Sequence, residues 1–232
     1  MSMKDISLII LAYNDANSLL NLVPDAYAIL ESNFDNFELI VVDDCSTDHT
    51  SLLMQSFERE YKNLVYNRNC TNRGVGYTFQ KGVKLAKYNS IAYTDGDAQF
   101  NLNDLVSLYN YKKKFDIVSG KRQVRADGIK RWFISKVYNQ LLRLLFDIKL
   151  KDTNSALKIY GREIFDKVLP LQSYDGFYDA EVIIKSMRVN YTITEVPITH
   201  YPRQFGEASG VKWKSVMSVL KSMMYFWYDS KK

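Results

Sequence analysis

Short runs of apolar and β-branched residues recur along the first half of the chain, each followed by a longer amphipathic stretch, and no other feature limits the fold as strongly. The runs Ile6–Ala12, Phe37–Asp43, Leu64–Asn67, Ser90–Asp95 and Asp116–Gly120 read as strands, and 15–32, 48–61, 75–87 and 102–114 read as the helices between them. These early strands show little polar alternation, so both faces of each are expected to be covered. Strand, amphipathic stretch and strand in series form the βαβ unit of a parallel sheet. The expected fold class is α/β, a Rossmann-like, mostly parallel sheet with helices on both faces. At 232 residues a single core suffices.

The second half reads differently. Arg131–Phe146 and Tyr178–Arg188 are expected as helices, Thr153–Tyr160 and Tyr191–Ile198 as strands, with polar, glycine-containing loops at 121–130 and 201–210. No internal repeat, low-complexity segment or linker divides the chain. The composition, 47% hydrophobic and 25% charged, is that of a soluble globular protein. The longest clean apolar run, ISLIILA at 6–12, is too short to span a bilayer. No basic segment leading into an apolar stretch and a cleavage site opens the chain, so export by that route is not expected. Cys45 and Cys70 offer neither metal-ligand spacing nor a disulfide framework, which fits a reducing cytoplasm. A net charge of +5 suits an anionic ligand or an anionic membrane surface and is too mild to argue for nucleic acid, which is not expected as a partner.

Open parallel sheets bind ligands beyond the carboxyl ends of their strands. Three polar clusters fall there: Asn14 with Asp15, Asp43 with Asp44, and Asp95 with Asp97. In TDGDAQ (94–99), Asp95, Asp97 and Gln99 present two carboxylates and an amide oxygen, the ligand set of a hard cation such as Mg²⁺ or Mn²⁺. An isolated D-x-D is more often a solvated helix cap, but its place after a buried strand and the spacing of Gln99 favour the cation. In VVDDCSTD (41–48), Asp44 is the candidate acceptor for a base or ribose, with Asp48 or Ser46 capping the next helix. NRGVGYTFQKG (72–82) matches no phosphate-loop pattern, and its glycines are expected to allow a tight turn and close helix packing.

Taken in order, AYND (12–15), VVDDCSTD (41–48), NRGVG (72–76), DGDAQ (95–99), VSGKR (118–122), DTNSALKIY (152–160) and VPITHYPRQFGEASG (196–210) resemble family 2 glycosyltransferases of the GT-A fold. The dolichyl- and polyprenyl-phosphate sugar transferases are the most similar branch. The resemblance covers about residues 6–210 and implies inverting, metal-dependent transfer of sugar from a nucleotide-sugar. It implies that Ala12, Tyr13 and Asp15 meet the nucleoside and Asp44 the base, and that Asp95, beside Gly96, meets the ribose or the metal. Asp97 and Gln99 would then hold the metal at the donor diphosphate, and Arg203 would close over that diphosphate. Arg122, Arg131 and Ser135 match residues associated with an acceptor phosphate. Leu11 stands where the family usually has Pro, Cys45 where Gly is common, and Ala208 and Ser209 where a Ser-Lys pair is usual.

A hydroxyl acceptor needs a general base, for which Asp152 and Asp179 are the candidates, whereas a phosphate acceptor is already anionic. Both carboxylates read equally well as structural, Asp152 ordering a loop and Asp179 opening a helix. Arg131 and Ser135 are four apart and share a helix face, and with Arg122 they suit a phosphate. Leu141, Leu142, Leu144 and Leu145 follow as candidates to face an isoprenoid chain. The expected organisation is a catalytic domain over 1–210 and an amphipathic helix over 211–232. In that helix Trp213, Val216, Met217, Leu220, Met223, Met224 and Trp227 form an apolar stripe flanked by Lys212, Lys214 and Lys221, suited to a membrane interface, a partner or the core. Three functions stay open: sugar transfer from a UDP- or GDP-sugar to a polyprenyl phosphate by a cytoplasmic protein at the inner face of the cell membrane, transfer to a saccharide hydroxyl in surface polysaccharide synthesis, and a catalytically silent nucleotide-sugar-binding subunit of a membrane partner.

Overall fold

The apolar runs of the first half form β1 (Asp5–Ala12), β2 (Asn36–Asp43), β3 (Leu64–Arg68) and β4 (Ser90–Asp95), connected by α1 (Ala16–Asn33), α2 (Thr50–Glu60) and α3 (Val75–Leu85). A computed structural model describes residues 3–123, 129–206 and 213–231, without the side chains of 129–131. The chain continues through α4 (Asp104–Lys112), β5 (Ile117–Arg122), α5 (Ile129–Phe146), β6 (Lys158–Gly161), α6 (Arg162–Val168), α7 (Tyr178–Arg188), β7 (Ile193–Ile198) and α8 (Trp213–Asp229). The seven strands form one sheet in the order β3-β2-β1-β4-β6-β5-β7. Every pairing is parallel except the two made by β6.

The α/β expectation holds, and its cause is visible in β1. Ile6, Leu8, Ile9 and Ile10 are all fully buried although successive side chains point to opposite faces, so helices cover both sides of this strand. Each such side chain contributes about 1.5–3 kcal/mol of burial. β3 departs from the reading of uniformly enclosed strands, because it is an edge and Val65, Tyr66 and Asn67 stay half-buried.

Two differences from the sequence reading shape the site. The strand expected at Thr153–Tyr160 shrinks to Lys158–Gly161, because side chains take the backbone hydrogen bonds of the preceding segment. As the one reversed strand, β6 brings its first residue, Lys158, opposite Tyr93 of β4 and Ser119 of β5, near the carboxyl ends of both. The short helix α6, absent from the sequence reading, packs Ile164, Phe165 and Val168 into the core.

α8 rotates the expected stripe. Its buried residues are Met223 and Phe226, with Phe226 6.0 Å from Phe146 and 5.7 Å from Phe177 between ring centres. Trp213 and Met224, read as part of the stripe, are exposed. Ser218 and Ser222 fasten the helix by donating to Asp175 Oδ2 at 2.6 and 2.8 Å. Lys212 lies outside the described residues.

Candidate active site

From β1 the chain runs outward through β2 and β3 on one side and returns as β4 on the other, so a crevice opens beyond the carboxyl ends of β1 and β4. The loop after each of β1, β2 and β4 contains a non-glycine residue in the left-handed region: Asn14 (φ 56°), Cys45 (φ 65°) and Ala98 (φ 57°). Such conformations cost energy and gather at functional sites. Cys45 therefore occupies a backbone position that favours glycine, the residue that the sequence resemblance leads one to expect there.

The loops brace one another. Asn14 N donates to Ser46 Oγ at 2.9 Å, and Thr47 N donates to Asn14 Oδ1 at 2.7 Å. Asp48 accepts from Thr50 N at 2.9 Å and Ala16 N at 3.2 Å, so it serves the first turns of both α2 and α1. Ser46 instead donates to buried Asp43, which also accepts from the Tyr66 hydroxyl. Ala12 is buried and its carbonyl accepts from Asp44 N at 2.9 Å, while Tyr13 stands half-exposed at the rim.

Residues far apart in sequence converge in the crevice. Arg203 Nη2 lies 3.2 Å from Asp15 Oδ1 and Nη1 lies 3.4 Å from Asp97 Oδ2, while Nε donates to the Phe205 carbonyl. Asp15 also accepts from Tyr13 N at 3.0 Å. Burial pushes the Asp15 carboxyl up to about 6, against the pull of the Tyr13 N–H and Arg203, with Asp97 and Asp48 adding to the rise. Gly96 N donates to the Leu11 carbonyl, and a Cβ there would come within 3.1 Å of Asp15 Oδ2. Gln99 is clasped by Tyr201, whose N–H and carbonyl bond its backbone oxygen and its Nε2 at 2.7 and 3.1 Å. Asp97 Oδ1 accepts from Gln99 N, and Asp95 is half-buried beside them.

Asp44 organises the neighbouring loop. Its Oδ1 accepts from Asn69 Nδ2 and Arg73 N and its Oδ2 from Gly74 N, all at 2.8 Å. Gly74 sits at φ 88°, and a Cβ there would collide with the Tyr174 carbonyl oxygen, so the NRG turn requires glycine at this point. Sequence reasoning passed over Asn69, Arg73, Tyr77 and Tyr174. The Arg73 guanidinium lies 4.5 Å from the Tyr77 ring centre, which is 5.7 Å from that of Tyr174. Only the N-R-G triplet hinted at them.

The other end of the site is built around residues 151–155. Arg122 forms a two-pronged ion pair with Asp152, Nε to Oδ2 at 2.8 Å and Nη2 to Oδ1 at 2.7 Å. Glu195 on β7 accepts from Lys151 N and Asp152 N, each at 2.9 Å. Asn139 on α5 accepts from Thr153 N at 3.1 Å and donates to the Ser135 carbonyl at 2.8 Å and hydroxyl at 3.3 Å. Lys158, fully buried, donates to the carbonyls of Thr153 and Ser155 and to Asp179 Oδ2. Burial raises the Asp179 carboxyl and Lys158 pulls it back. Both base candidates thus have ion-pair partners. Arg122 and Ser135 are linked through this loop, while the Arg131 side chain lies outside the described residues. Of the four leucines, Leu142 is buried and Leu144 is exposed, while Leu141 and Leu145 pack against the core.

No group of three or more His, Cys, Asp and Glu poised to enclose a metal occurs among the described residues. The set Asp95, Asp97 and Gln99 supplies oxygens only, as a hard cation that shares its shell with water and substrate phosphate requires. Asp97 Oδ2 lies 3.4 Å from Arg203 Nη1, so this carboxylate faces positive charge within the crevice.

Residues 7–169 match the family model described as Glycosyl transferase family 2. The chain is 28% identical over 239 residues to dodecaprenyl-phosphate galacturonate synthase of Rhizobium johnstonii, covering 98% of this chain and 69% of that one. It is 25% identical over 208 residues to glycosyltransferase AglD of Haloferax volcanii, covering 86% of this chain and 33% of that one, so the chain spans about a third of that relative's length. Among solved structures, glucosyl-3-phosphoglycerate synthase of Mycobacterium tuberculosis in complex with Mn²⁺, UDP and phosphoglyceric acid superposes with a TM-score of 0.73 at 14% identity, covering 97% of this chain and 78% of that one. The shared fold is GT-A.

Proposed function

The chain belongs to glycosyl transferase family 2, and from that premise we propose that it transfers a sugar, with inversion, from a UDP- or GDP-sugar to a polyprenyl phosphate at the cytoplasmic face of the cell membrane. The convergence of Asp15, Asp97 and Arg203 at the crevice between β1 and β4 carries the reading. It sets carboxylates for a cation beside an arginine for a diphosphate, where a nucleotide-sugar lies in an open sheet. The names of the Rhizobium relative and of the manganese–UDP complex support the acceptor class and the donor class respectively.

In this reading Ala12, Tyr13, Asp15 and Asp44 receive the nucleoside. Asp95, with Gly96 in the turn, meets the ribose, and Asp95, Asp97 and Gln99 hold Mg²⁺ or Mn²⁺. When bound, that ion supplies positive charge to the departing diphosphate. Arg203 leaves its carboxylate partners to hold the same diphosphate by charge-assisted bonds. Arg122, Arg131 and Ser135 bind the acceptor phosphate, whose second pKa of about 6 leaves it anionic without a strong base. The ion pairs of Asp152 and Asp179 agree with that chemistry, and we assign both a positioning role in place of proton transfer.

Residues 1–210 form the catalytic unit in this proposal, and the helix within 211–232 is its membrane-facing addition. Among the described residues no helix is long and apolar enough to cross a membrane. α8 instead exposes Trp213, Met224, Tyr225 and Tyr228, with Lys231 4.0 Å from the Trp227 ring centre. Aromatic rings with flanking lysines suit an anionic bilayer interface. Replacing Trp213, Tyr225 and Tyr228 with serine should release the protein from phosphatidylglycerol vesicles and leave its melt unchanged. Undiminished vesicle binding would remove the membrane from the proposal.

The deciding experiment offers labelled UDP- and GDP-sugars with a short polyprenyl phosphate and extracts into organic solvent. Label in the organic phase, lost with chelator and restored by Mg²⁺ or Mn²⁺, is the expected result. Label moved onto an added oligosaccharide would establish a hydroxyl acceptor instead, and donor binding without any transfer would mark a silent subunit.

A further inference from the structure

The segment 151–155 has no strand or helix of its own, yet side chains from β5, α5, β6 and β7 hold its backbone or its carboxylate. Lys158 is the one among these that lies completely inside the protein. Its ammonium has three protons, and they are directed at the Thr153 carbonyl (2.8 Å), the Ser155 carbonyl (2.5 Å) and Asp179 Oδ2 (2.5 Å), with the Tyr93 hydroxyl at 3.4 Å. Asp179 Oδ1 also accepts from the Tyr160 hydroxyl at 3.3 Å. An ammonium removed from water costs several kcal/mol unless a counter-charge and hydrogen bonds compensate it. Methionine at 158 would span a similar length without that cost, so a charge at this position needs a reason.

The reason lies in what the two gripped carbonyls control. Thr153 N is bonded to Asn139, which bonds Ser135, and the preceding residue, Asp152, holds the Arg122 guanidinium. Drawing Thr153 and Ser155 toward Asp179 therefore fixes Arg122 and Ser135 relative to each other. We propose that Lys158, with Asp179 as its counter-ion, is a positioning residue that sets the spacing of the acceptor-binding groups. The proposal rests on the reading that Arg122 and Ser135 meet the acceptor. It makes Asp179 indirect in its effect, acting through Lys158.

The test is steady-state kinetics on two variants, with calorimetric UDP or GDP binding and a thermal melt on each. In Asp179→Asn the acceptor KM should rise about threefold to tenfold, with kcat within about threefold and the pH–rate profile unchanged. Collapse of kcat by about 100-fold or more at an unchanged acceptor KM would instead make Asp179 a proton-transfer group and overturn the proposal, and so would kinetics identical to the parent. Lys158→Met combined with Asp179→Asn removes both charges, which leaves no uncompensated ion to unfold the protein. That variant should melt within a few degrees of the parent, bind nucleotide normally and show an acceptor KM raised by more than about tenfold. A double variant with parental acceptor kinetics, or one that loses nucleotide affinity as much as acceptor affinity, would also overturn it. All values are read on whichever acceptor the parent enzyme uses, so the same kinetic criteria decide the role of Lys158 whether that acceptor is a lipid phosphate or a saccharide.

Discussion

The two ends of the site balance charge in opposite ways. At the end proposed for the donor, the Arg203 guanidinium lies 3.2 Å from Asp15 and 3.4 Å from Asp97, and Asp44 accepts from backbone and amide N–H groups. At the end proposed for the acceptor, Asp152 pairs with Arg122 at 2.7 Å and Asp179 with Lys158 at 2.5 Å. Hydrogen bonds near 3.4 Å are weak, and those near 2.7 Å between charged partners are strong. The difference teaches where ligand charge is expected to enter. In the proposed function the carboxylates that share Arg203 are the ones offered to a cation, whereas the close pairs at the other end hold the loop 151–155 in shape.

The largest expected effect tests the loose end. Asp97→Asn should lower turnover by about 10³-fold, the scale of a deleted electrostatic group in a transition state. Its melting temperature should stay within a few degrees of the parent, since Asp97 faces the crevice and Arg203. Mn²⁺ binding followed by paramagnetic resonance should weaken in parallel. Parental turnover in this variant would erase the contrast, because the donor carboxylates would then be as structural as those at the other end.

The matched end predicts the reverse pattern, a stability loss first. Arg122→Met or Asp152→Asn alone leaves a buried charge without its partner and should cost about 3–5 kcal/mol in a denaturant melt. The double replacement should recover most of that loss while acceptor binding stays impaired. Single variants that cost under about 1 kcal/mol would show that the ion pair is incidental to the loop.

These two ends were also unequally legible in the sequence. Strands β1, β2 and β4 are continuous apolar runs that stop at acidic residues, so Asp15, Asp44, Asp95, Asp97 and Gln99 stood out from a local pattern. Arg203 was found by its place in a family motif, yet its pairing with Asp15, 188 positions away, was not expressed in any local spacing. Residues 153–157 read as strand because the run from Thr153 to Tyr160 is apolar enough for one. The backbone at 152–153 is satisfied instead by Glu195, Asn139 and Lys158, and such side-chain bonds leave no periodic trace. The same reason hid Asn139 and Lys158 as site-shaping residues. In α8 the apolar residues are nearly continuous from Met223 to Tyr228, so periodicity alone could not choose the buried pair Met223 and Phe226.

A third prediction concerns how far the donor end extends. Asp44→Ala should weaken UDP or GDP binding by about tenfold to 100-fold, the scale of about 1.5–3 kcal/mol for a bond to a charged group. Amide exchange at Arg73 and Gly74 should accelerate in the same variant, since both N–H groups lose their acceptor. Faster exchange with unchanged nucleotide affinity would make Asp44 a loop brace only and move the nucleoside away from it.

The smallest expected effect is a pH dependence of stability at Asp15, where burial outweighs the pull of Arg203. Burial raises this carboxyl from 3.8 to about 6 in the folded protein. The folded state therefore holds the Asp15 proton more tightly than the unfolded state does. By linkage, stability is greatest below about pH 4, declines as pH rises to about 6, and is level above that. A shift of this size is worth at most about 3 kcal/mol at 1.36 kcal/mol per unit, and nearer 1 kcal/mol once relaxation toward Arg203 and water is allowed for. Asp48 and Asp116 act oppositely, because burial there is outweighed by hydrogen bonds from Thr50 and Thr192 that hold both below 3.8, so their stabilisation is lost only as the solution becomes more acidic than the Asp15 window. Thermal melts of metal-free protein between pH 4 and 6.5, subtracted from those of Asp15→Asn, should isolate the Asp15 contribution. The parent should lose stability relative to the variant across that interval. A difference that is flat, or that grows in the parent's favour with rising pH, would mean that Arg203 compensates the burial of Asp15 in full, and the description of Asp15 as a loosely held carboxylate would fail.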